Sequence, residues 1–536
     1  MNEVRTAVKM LLEDNRTILP DALEILKTTA DPIGLAERVI TQTTSATQVD
    51  RKILQTYIRN PAPTQTPVTS PPTAPRTRRR ARVMDSILSR SAKPAKKEVI
   101  KRPSMPSSRT RIHTELGELD GLHNYESDLQ IIRNPQLSPN LAGDIQDMVG
   151  YFQDRFKKLY RIFRLRTDIT NMMKIKDLKQ NHRDITVVGM VTEKNFSTES
   201  TGKIILEDPS TEKILEAVIA NNETLVEQAN QIMTDTVICI RGMMKNYTFY
   251  AQEFILPDIP YMTQKKKADV PVHAAFLSDI HVGSKGFLSD PMEKFVQFLN
   301  GEYGDIKHQK LGEHTKYVMF SGDVVDGVGI YPNQHDDLAI DSIQDQYNAF
   351  ASFVDRIPDD VEVVVIPGNH DMVRSAEPQP AIIPEHAPDL ATFENVRLLP
   401  NPSQVALHGV QTLLYHCTSL PDIMNHIPGL PIEKPVDVMV HMLKARHLAP
   451  IWGDKTPIAT EPEDHLVIDP IPDIFHGGHI HINGYGGYRG VQIINSGTMQ
   501  EQTSYQKSLN IDPTPGLVPL VNLKTRKPSI IDFISK

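Results

Sequence analysis

The chain has 536 residues and a formal net charge of −8. At roughly 100–200 residues per domain this gives room for about three or four domains, and 39% hydrophobic residues suit several separate cores. No run of about 18 apolar residues occurs, and Cys239 and Cys417 are the only cysteines, which excludes a bilayer-spanning helix, a disulfide framework and a thiolate metal site.

The opening residues, MNEVRTAVKMLLEDNR, carry acids and no continuous apolar stretch, so no secretory signal is expected and the reducing cytoplasm is the expected location. Residues 1–58 read as a small helical docking domain. Leu11, Leu12 and Ile18 precede Pro20, and then Leu23, Ile25 and Leu26, Ile33, Leu35 and Val39, and Ile53, Leu54, Tyr57 and Ile58 follow at helical spacing. Residues 59–112 hold nine prolines, no glycine and no aromatic residue, too little apolar surface to offset chain entropy, so a disordered linker is expected. Its 14 Lys and Arg against Asp85 and Glu98 make it +12 and leave −20 for the remainder. Arg76, Arg78, Arg79, Arg80 and Arg82 are candidates for nonspecific phosphate contact, beside the plainer reading of a solvated linker.

Residues 113–180 read as a helical segment leading into the core. From Asp144, Ile145, Met148, Val149, Phe152, Phe156, Leu159, Ile162 and Phe163 fall on one helical stripe, which leaves the charged residues on a wet face. Residues 181–262 change to short strands: DITVVGMVTEKNF, GKIILEDPS, EAVIA, TVICIRGMMKN and TFYAQEFILPDI, with the helical NETLVEQANQIM between the third and fourth. Five strands with that helix follow the plan of an OB-type barrel. Phe196, Tyr247, Phe249 and Tyr250 read either as base-stacking platforms or as barrel core.

Residues 263–536 repeat one device, an apolar strand followed by a polar turn. HAAFLSDIH ends in Asp279 and His281, KYVMFSGDVVDG in Asp323 and Asp326, and VEVVVIPGNHD in Asn369, His370 and Asp371; QTLLYHC carries His416, and DIFHGGHIHING carries His479 and His481. Ligands gather at the carboxyl ends of strands in layered α/β folds. Asp-x-His and His-x-His are expected to point both side chains the same way along an extended segment. A donor set of oxygen and nitrogen without thiolate suits manganese, zinc or iron better than calcium or magnesium. Two such ions roughly 3.5–4 Å apart, bridged by Asp323, activate water and neutralise an in-line phosphoryl displacement. Asp326 reads as a turn residue, Cys417 as a small buried one, His476 as a neighbour of the site or a substrate contact, and Arg374 as a phosphate contact. KPSIIDFISK reads as a closing strand.

These blocks resemble the calcineurin-like metallophosphoesterase family, whose pattern is D-x-H, G-D-x-x-D, G-N-H-D/E, a lone H and G-H-x-H; here they stand in order as DIH, GDVVD, GNHD, YH and GHIH. The resemblance implies a four-layer α/β/β/α domain and therefore a multidomain α+β chain. It implies that Asp279, His281, Asp323 and His481 hold one divalent ion, and that Asp323, Asn369, His416 and His479 hold the other. His370 would stabilise the transition state or act as general acid, with Asp371 orienting it. Manganese is the expected ion, with zinc, iron and magnesium as alternatives.

The whole order, helical unit, basic linker, OB-like barrel and phosphoesterase, resembles the small subunits of archaeal D-family DNA polymerases. It is also similar to the accessory subunits of eukaryotic replicative polymerases, which have lost much of the metal set. The full donor set here implies a proofreading 3′–5′ exonuclease acting on single-stranded DNA and primer 3′ ends. The implied partners are a large catalytic polymerase subunit and, through residues 1–58, other replisome factors, with the complex on the nucleoid and away from membranes. Other classes stay open: a phosphodiesterase or phosphatase of small molecules or phosphoproteins, a noncatalytic polymerase scaffold, and a standalone single-strand binder.

Overall fold

The computed structural model describes residues 125–534, apart from 139, 140, 142, 212 and 262–264, together with scattered residues between 4 and 54. The linker expected at 59–112, with Arg76, Arg78, Arg79, Arg80 and Arg82, lies outside the described residues. The chain divides into two compact units, Met1–Arg102 and Pro103–Lys536.

In the first unit Ala7, Leu11, Leu26, Leu35, Ala36, Val39 and Leu54 are buried in one apolar cluster. Thr17–Ile18 and Gln48–Val49 pair as short parallel strands. The all-helical reading of residues 1–58 is corrected there: a two-residue strand is too short to leave a periodic signal.

The second unit begins with strand β1 (Leu129–Arg133), in a region read as wholly helical. Only five residues long, β1 shows no period of its own and takes its conformation from its partner strand. Helix α1 (Ile145–Arg164) starts where Asp144 caps it, the Asp144 carboxylate accepting from the backbone N–H groups of Gln146 and Asp147. The buried face is Tyr151, Arg155, Phe156, Leu159 and Phe163, while Ile145, Met148 and Val149 in the first turns are exposed. The expected stripe therefore holds only from Phe152 onward, and one charged residue sits inside. Arg155 donates to Asp464 Oδ2 (2.7 Å), the Pro450 carbonyl (2.7 Å), the Asp235 carbonyl (3.2 Å) and the Tyr151 hydroxyl (3.1 Å). A buried guanidinium is tolerated because its donors are taken up this way.

Five strands follow: β2 (His182–Phe196), β3 (Gly202–Asp208), β4 (Lys213–Ile219), β5 (Val237–Lys245) and β6 (Thr248–Ile255), with helix α2 (Glu223–Asn230) between β4 and β5. The neighbour order β2-β3-β4-β6-β5 returns to β2 through a β2–β5 pairing, so the sheet closes on itself. Phe249 is buried inside, which corrects it as a stacking candidate; Phe196 and Tyr250 are half-buried and Tyr247 is exposed.

The rest is two six-stranded sheets face to face. One runs β10 (Val396–Leu398), β9 (Glu362–Ile366), β8 (Thr315–Ser321), β7 (His273–Leu277), β16 (Leu517–Asn522), β17 (Pro528–Asp532), its first four strands parallel. The other runs β14 (Gly484–Tyr488), β15 (Val491–Asn495), β13 (Ile474–Gly477), β12 (Val410–Leu414), β11 (Ser403–Leu407), β1. Alternation along each strand sorts the layers. Phe276, Tyr317, Met319 and Val364 meet Val405, Leu414, Ile474 and Ile494 between the sheets. Their neighbours Leu277, Val318, Phe320 and Val365 meet helices α3 (Ser289–Leu299) and α5 (Ile343–Val354), with α4 (Ile306–Glu313) contributing Leu311. Leu413, Phe475 and Ile493 meet α6 (Leu420–His426) and α7 (Pro435–Ala445) on the far side. The layers are helix, sheet, sheet, helix. The closing tail is strand β17, antiparallel to β16.

Removing one partner of a buried, hydrogen-bonded ion pair costs about 3–5 kcal/mol. Arg155→Met is therefore expected to lower stability in chemical denaturation by about that amount at neutral pH. Arg161, paired with Asp469 at the surface, should matter far less when changed to Ala. Against the pull of burial, His447 and Arg155 hold Asp464 well below the usual carboxylate range. The contribution is therefore complete above pH about 4 and fades as pH falls further. The gap between wild type and Arg155→Met should narrow on acidification.

Candidate metal centre

Strands β7, β8 and β9 of one sheet and β12 and β13 of the other end at one pole, and each donor block is the turn that follows. Asp279 and Asp323 are buried, as are His281, His416 and His481, while Asn369, His370 and His479 are half-buried at the mouth. The turns are not extended. Asp279, His281, Asp323, His479 and His481 have φ of 56°, 54°, 52°, 75° and 60°. The expectation that strand alternation aligns Asp-x-His and His-x-His is thereby corrected: left-handed turns aim these side chains. Such conformations cost about 1–3 kcal/mol each outside glycine and cluster at functional sites.

Glycines admit the crowding. A Cβ on Gly322 would stand 2.4 Å from His416 Nδ1, one on Gly368 2.2 Å from Asp323 Oδ1, and one on Gly478 2.4 Å from Asp279 Oδ2. The glycine in each of GD, GN and GH is where backbone must touch a donor.

Asp279, His281 and His481 bring donor atoms within 4.8 Å of one another, and so do Asp323, His416 and His479. His281, Asp323 and His370 form a third such group that joins the first two. His281 Nε2 lies 3.1 Å from His481 Nε2 and 3.9 Å from Asp323 Oδ2. His416 Nε2 lies 3.1 Å from Asn369 Oδ1 and 3.3 Å from Asp323 Oδ2. The opposite nitrogens are held. His416 Nδ1 donates to the Ser321 carbonyl (2.8 Å), and His281 Nδ1 meets the Asp326 carboxylate (3.1 Å). That leaves Nε2 lone pairs converging on carboxylate oxygens, as imidazole ligation requires. Asp279 Oδ1 is buried and accepts no hydrogen bond, 3.5 Å from His481 Nε2. An orphaned carboxylate oxygen among imidazole nitrogens fits a divalent cation and little else.

The electrostatics agree. Burial raises Asp279 to about 6, with Asp323 adding to it. Burial opposes a charge on His416, yet Asp323 lifts it to about 10, and His416 with His370 holds Asp323 well below its ordinary range. The pocket draws a positive charge to Asp323, by protonation where no cation is bound. Burial pushes His479 down to about 3 and His481 well below its usual value, leaving both as neutral donors.

Other expected residues fall differently. Asp371 does not touch the His370 ring. Its Oδ2 accepts from the backbone N–H groups of Asp323 and Gly368 (2.8 Å each), and its Oδ1 from the Tyr347 hydroxyl (3.2 Å). It locks two turns, because a carboxylate so close to backbone donors is used up by them. His370 is instead set by the Asp326 carbonyl, which takes Nδ1–H (2.7 Å) and leaves Nε2 for exchange with a ligand. Asp326 orients His281 and, through its carbonyl, His370. Arg374 is no free phosphate contact. It pairs with buried Glu461 (2.7 Å) and donates to the carbonyls of Pro378 and Ala376. His476 lies between the sheets, bonded to Ser321 and Ser496 (2.8 Å each), out of reach of substrate. Gln506, 2.8 Å from His481 Nδ1, belongs to no recognisable motif.

A helix–sheet–sheet–helix protein with a nitrogen–oxygen centre at the strand ends, preceded by a closed barrel, is the class the fold and site define. The family of second, accessory subunits of DNA polymerases alpha and epsilon matches residues 274–481, the stretch from β7 to the last donor. The DNA polymerase II small subunit of Methanothermobacter thermautotrophicus is 41% identical over 395 residues, 74% of this chain and 81% of that one. That of Archaeoglobus fulgidus is 43% identical over 392 residues, 73% and 78% of the two chains. The chain belongs to the family of archaeal DNA polymerase II small subunits, those of the D-family polymerase. A zinc complex of Vps29 from Entamoeba histolytica covers 49% of this chain and 99% of its own at 13% identity with a TM-score of 0.25, too slight a likeness to inform the fold. No helix among the described residues is long and apolar enough to cross a membrane.

Metal analysis separates the two donor groups. Asp279→Ala is expected to lower bound Mn2+ by about one equivalent, and Asp323→Ala, which removes the shared carboxylate, by about two. Equal losses would mean that the groups form a single site.

Proposed function

We propose that the chain is a dimetal 3′–5′ exodeoxyribonuclease that proofreads as the accessory subunit of its polymerase. The observation that carries this reading is the complete donor set, two groups of buried His, Asp and Asn side chains meeting at Asp323. The calcineurin-like reading of the sheets, the OB-type reading of the barrel and the docking role of residues 1–58 belong to the same proposal. So do manganese as the ion, and the partners: a large catalytic subunit, single-stranded DNA and primer 3′ ends.

Asp279, His281, Asp323 and His481 would hold one ion, and Asp323, Asn369, His416 and His479 the other. Two such ions supply Lewis-acid charge and an activated water at neutral pH. The protein supplies the rest. Asp323, kept ionised, fixes the spacing of the two groups. The left-handed turns hold the donors before substrate arrives, so little reorganisation is left for the reaction. Asn369, His370 and His479 border the opening through which a phosphodiester enters. His370, with Nδ1–H fixed on the Asp326 carbonyl, presents Nε2 to the departing 3′ oxygen, where a proton or a hydrogen bond eases bond cleavage. The barrel and the basic linker would guide a frayed strand inward.

The test is Mn2+-dependent release of nucleoside 5′-monophosphates from labelled single-stranded DNA, run beside bis-p-nitrophenyl phosphate. Asp323→Ala should abolish release. His370→Ala should lower turnover about 10²–10⁴-fold with bound metal retained. Full metal content without DNA cleavage, alone and with the large subunit, would leave the scaffold reading standing. Cleavage confined to the small ester would favour the general phosphodiesterase.

A further inference from the structure

Among the described residues, an apolar patch lies beside a site built otherwise of charged and polar groups. Val328, Ile330, Tyr331 and Met372 are 50%, 39%, 39% and 48% exposed. Tyr331 stands 6.4 Å, ring centre to ring centre, from His370, and His370 stands 4.7 Å from the ligand candidate His281. Met372 follows His370 by two residues. Gly327, at φ 74°, packs so closely between them that a Cβ there would lie 2.3 Å from the His370 carbonyl and 2.9 Å from the Ile330 side chain. The loop carrying Ile330 and Tyr331 is thus seated on the His370 backbone.

The loop is also pinned. Gln334 is 2% exposed; its Oε1 accepts from the Ile330 N–H (2.8 Å), and its Nε2 donates to the Asp326 carbonyl (2.8 Å) and Asp326 Oδ2 (3.1 Å). The Tyr331 hydroxyl donates to Asp337 (3.2 Å), which fixes the ring from the other side. A buried amide therefore ties the exposed ring to Asp326, the residue that orients both His281 and His370. Exposed apolar surface that is held rigid at the edge of a site marks a contact face. The flat, apolar part of a strand end is its base, and aromatic rings take any base by stacking.

We propose that Tyr331, flanked by Ile330 and Met372, is the platform on which a base at the reacting 3′ end stacks, making the site selective for nucleic-acid ends over phosphodiesters that lack a base. This rests on the nuclease reading above. Tyr331 acts as a positioning residue: the ring bears the base while the phosphate lies over the metal donors and His370.

The experiment uses the full chain with Mn2+ and two labelled single strands, one ending in an ordinary 3′ nucleotide and one in an abasic 3′ nucleotide. Wild type should prefer the ordinary end by about tenfold in kcat/KM, which is about 1.4 kcal/mol. Tyr331→Ala should erase that preference, chiefly through KM, and Tyr331→Phe and Tyr331→Trp should retain it. A preference that survives in Tyr331→Ala, or an equal loss on both strands, overturns the proposal. A second readout does not need catalysis. A strand with 2-aminopurine at its 3′ end and a phosphorothioate at the last linkage should be quenched on binding wild type and not on binding Tyr331→Ala. If wild type degrades neither strand, the exonuclease reading fails and this signal still decides the platform. Equal quenching by both proteins, or none by wild type, overturns it.

Discussion

Three carboxylates, Asp279, Asp323 and Asp371, are buried together at one pole of the sheets, 0%, 2% and 4% exposed. Charge removed from water has to be paired, bonded or neutralised. Each acid meets this demand differently. Asp371 spends its oxygens on backbone N–H groups and the Tyr347 hydroxyl. Asp323 takes one N–H from His370 and faces His416. Asp279 accepts the His479 N–H on one oxygen and nothing on the other. The pocket is short of positive charge at the place where imidazole nitrogens converge. The left-handed turns follow from the same demand, since here it is turned backbone that aims both donors of each Asp-x-His or His-x-His pair into one space. Their strain is borne by the sheets beneath.

Those donors come from two sheets, so the relation between sheets sets the spacing of the two groups. A hydrogen-bonded path crosses the inter-sheet core directly beneath the site. The Ser321 carbonyl takes His416 Nδ1–H, the Ser321 hydroxyl meets His476 Nδ1, His476 Nε2 meets the Ser496 hydroxyl, and that hydroxyl donates to the Phe276 carbonyl. Burial pushes His476 down to about 3, so the ring stays neutral, one nitrogen donating and one accepting. Polar groups inside an apolar layer cost energy unless fully bonded, and a fully bonded path has one geometry. It joins β7, β8, β13 and the turn after β15 at a fixed register, which greasy packing alone would leave free to slide.

Much of this was legible in the sequence. The donor residues stood out because each follows an apolar run, and the barrel strands because their alternation is clean. What stayed hidden was set by distant partners. Strand β1 has no pattern of its own and exists because β11 offers an edge. Arg155 looked like a wet-face residue because helical periodicity counts apolar positions and cannot foresee Asp464, 309 residues away. Asp371 looked like the orienter of His370 because the two adjoin in sequence, yet adjacent side chains leave the backbone in different directions. Gln334 and Gln506 carry no motif, since an amide becomes informative only when its neighbours are known.

The two clusters of buried charge allow one further discrimination. Asp464 is as buried as Asp279. Its Oδ2 takes Arg155 and His447 (2.7 and 2.8 Å) and its Oδ1 takes the Leu466 N–H (2.8 Å). That acid is satisfied within the chain, and its carboxyl is held well below the ordinary range. Asp279 sits in a comparable depth of protein with an unused lone pair, and burial lifts it to about 6. Burial is thus common to both, and the difference lies in saturation. A saturated acid joins pieces of structure: Asp464, through Arg155, ties α1 to the carbonyls at Asp235 and Pro450. An unsaturated one is kept at a cost to the fold, and the cost is recovered only when something outside the chain supplies the missing charge. By that criterion the strand-end pocket, and not the equally buried Arg155 cluster, is the place fitted to a cation.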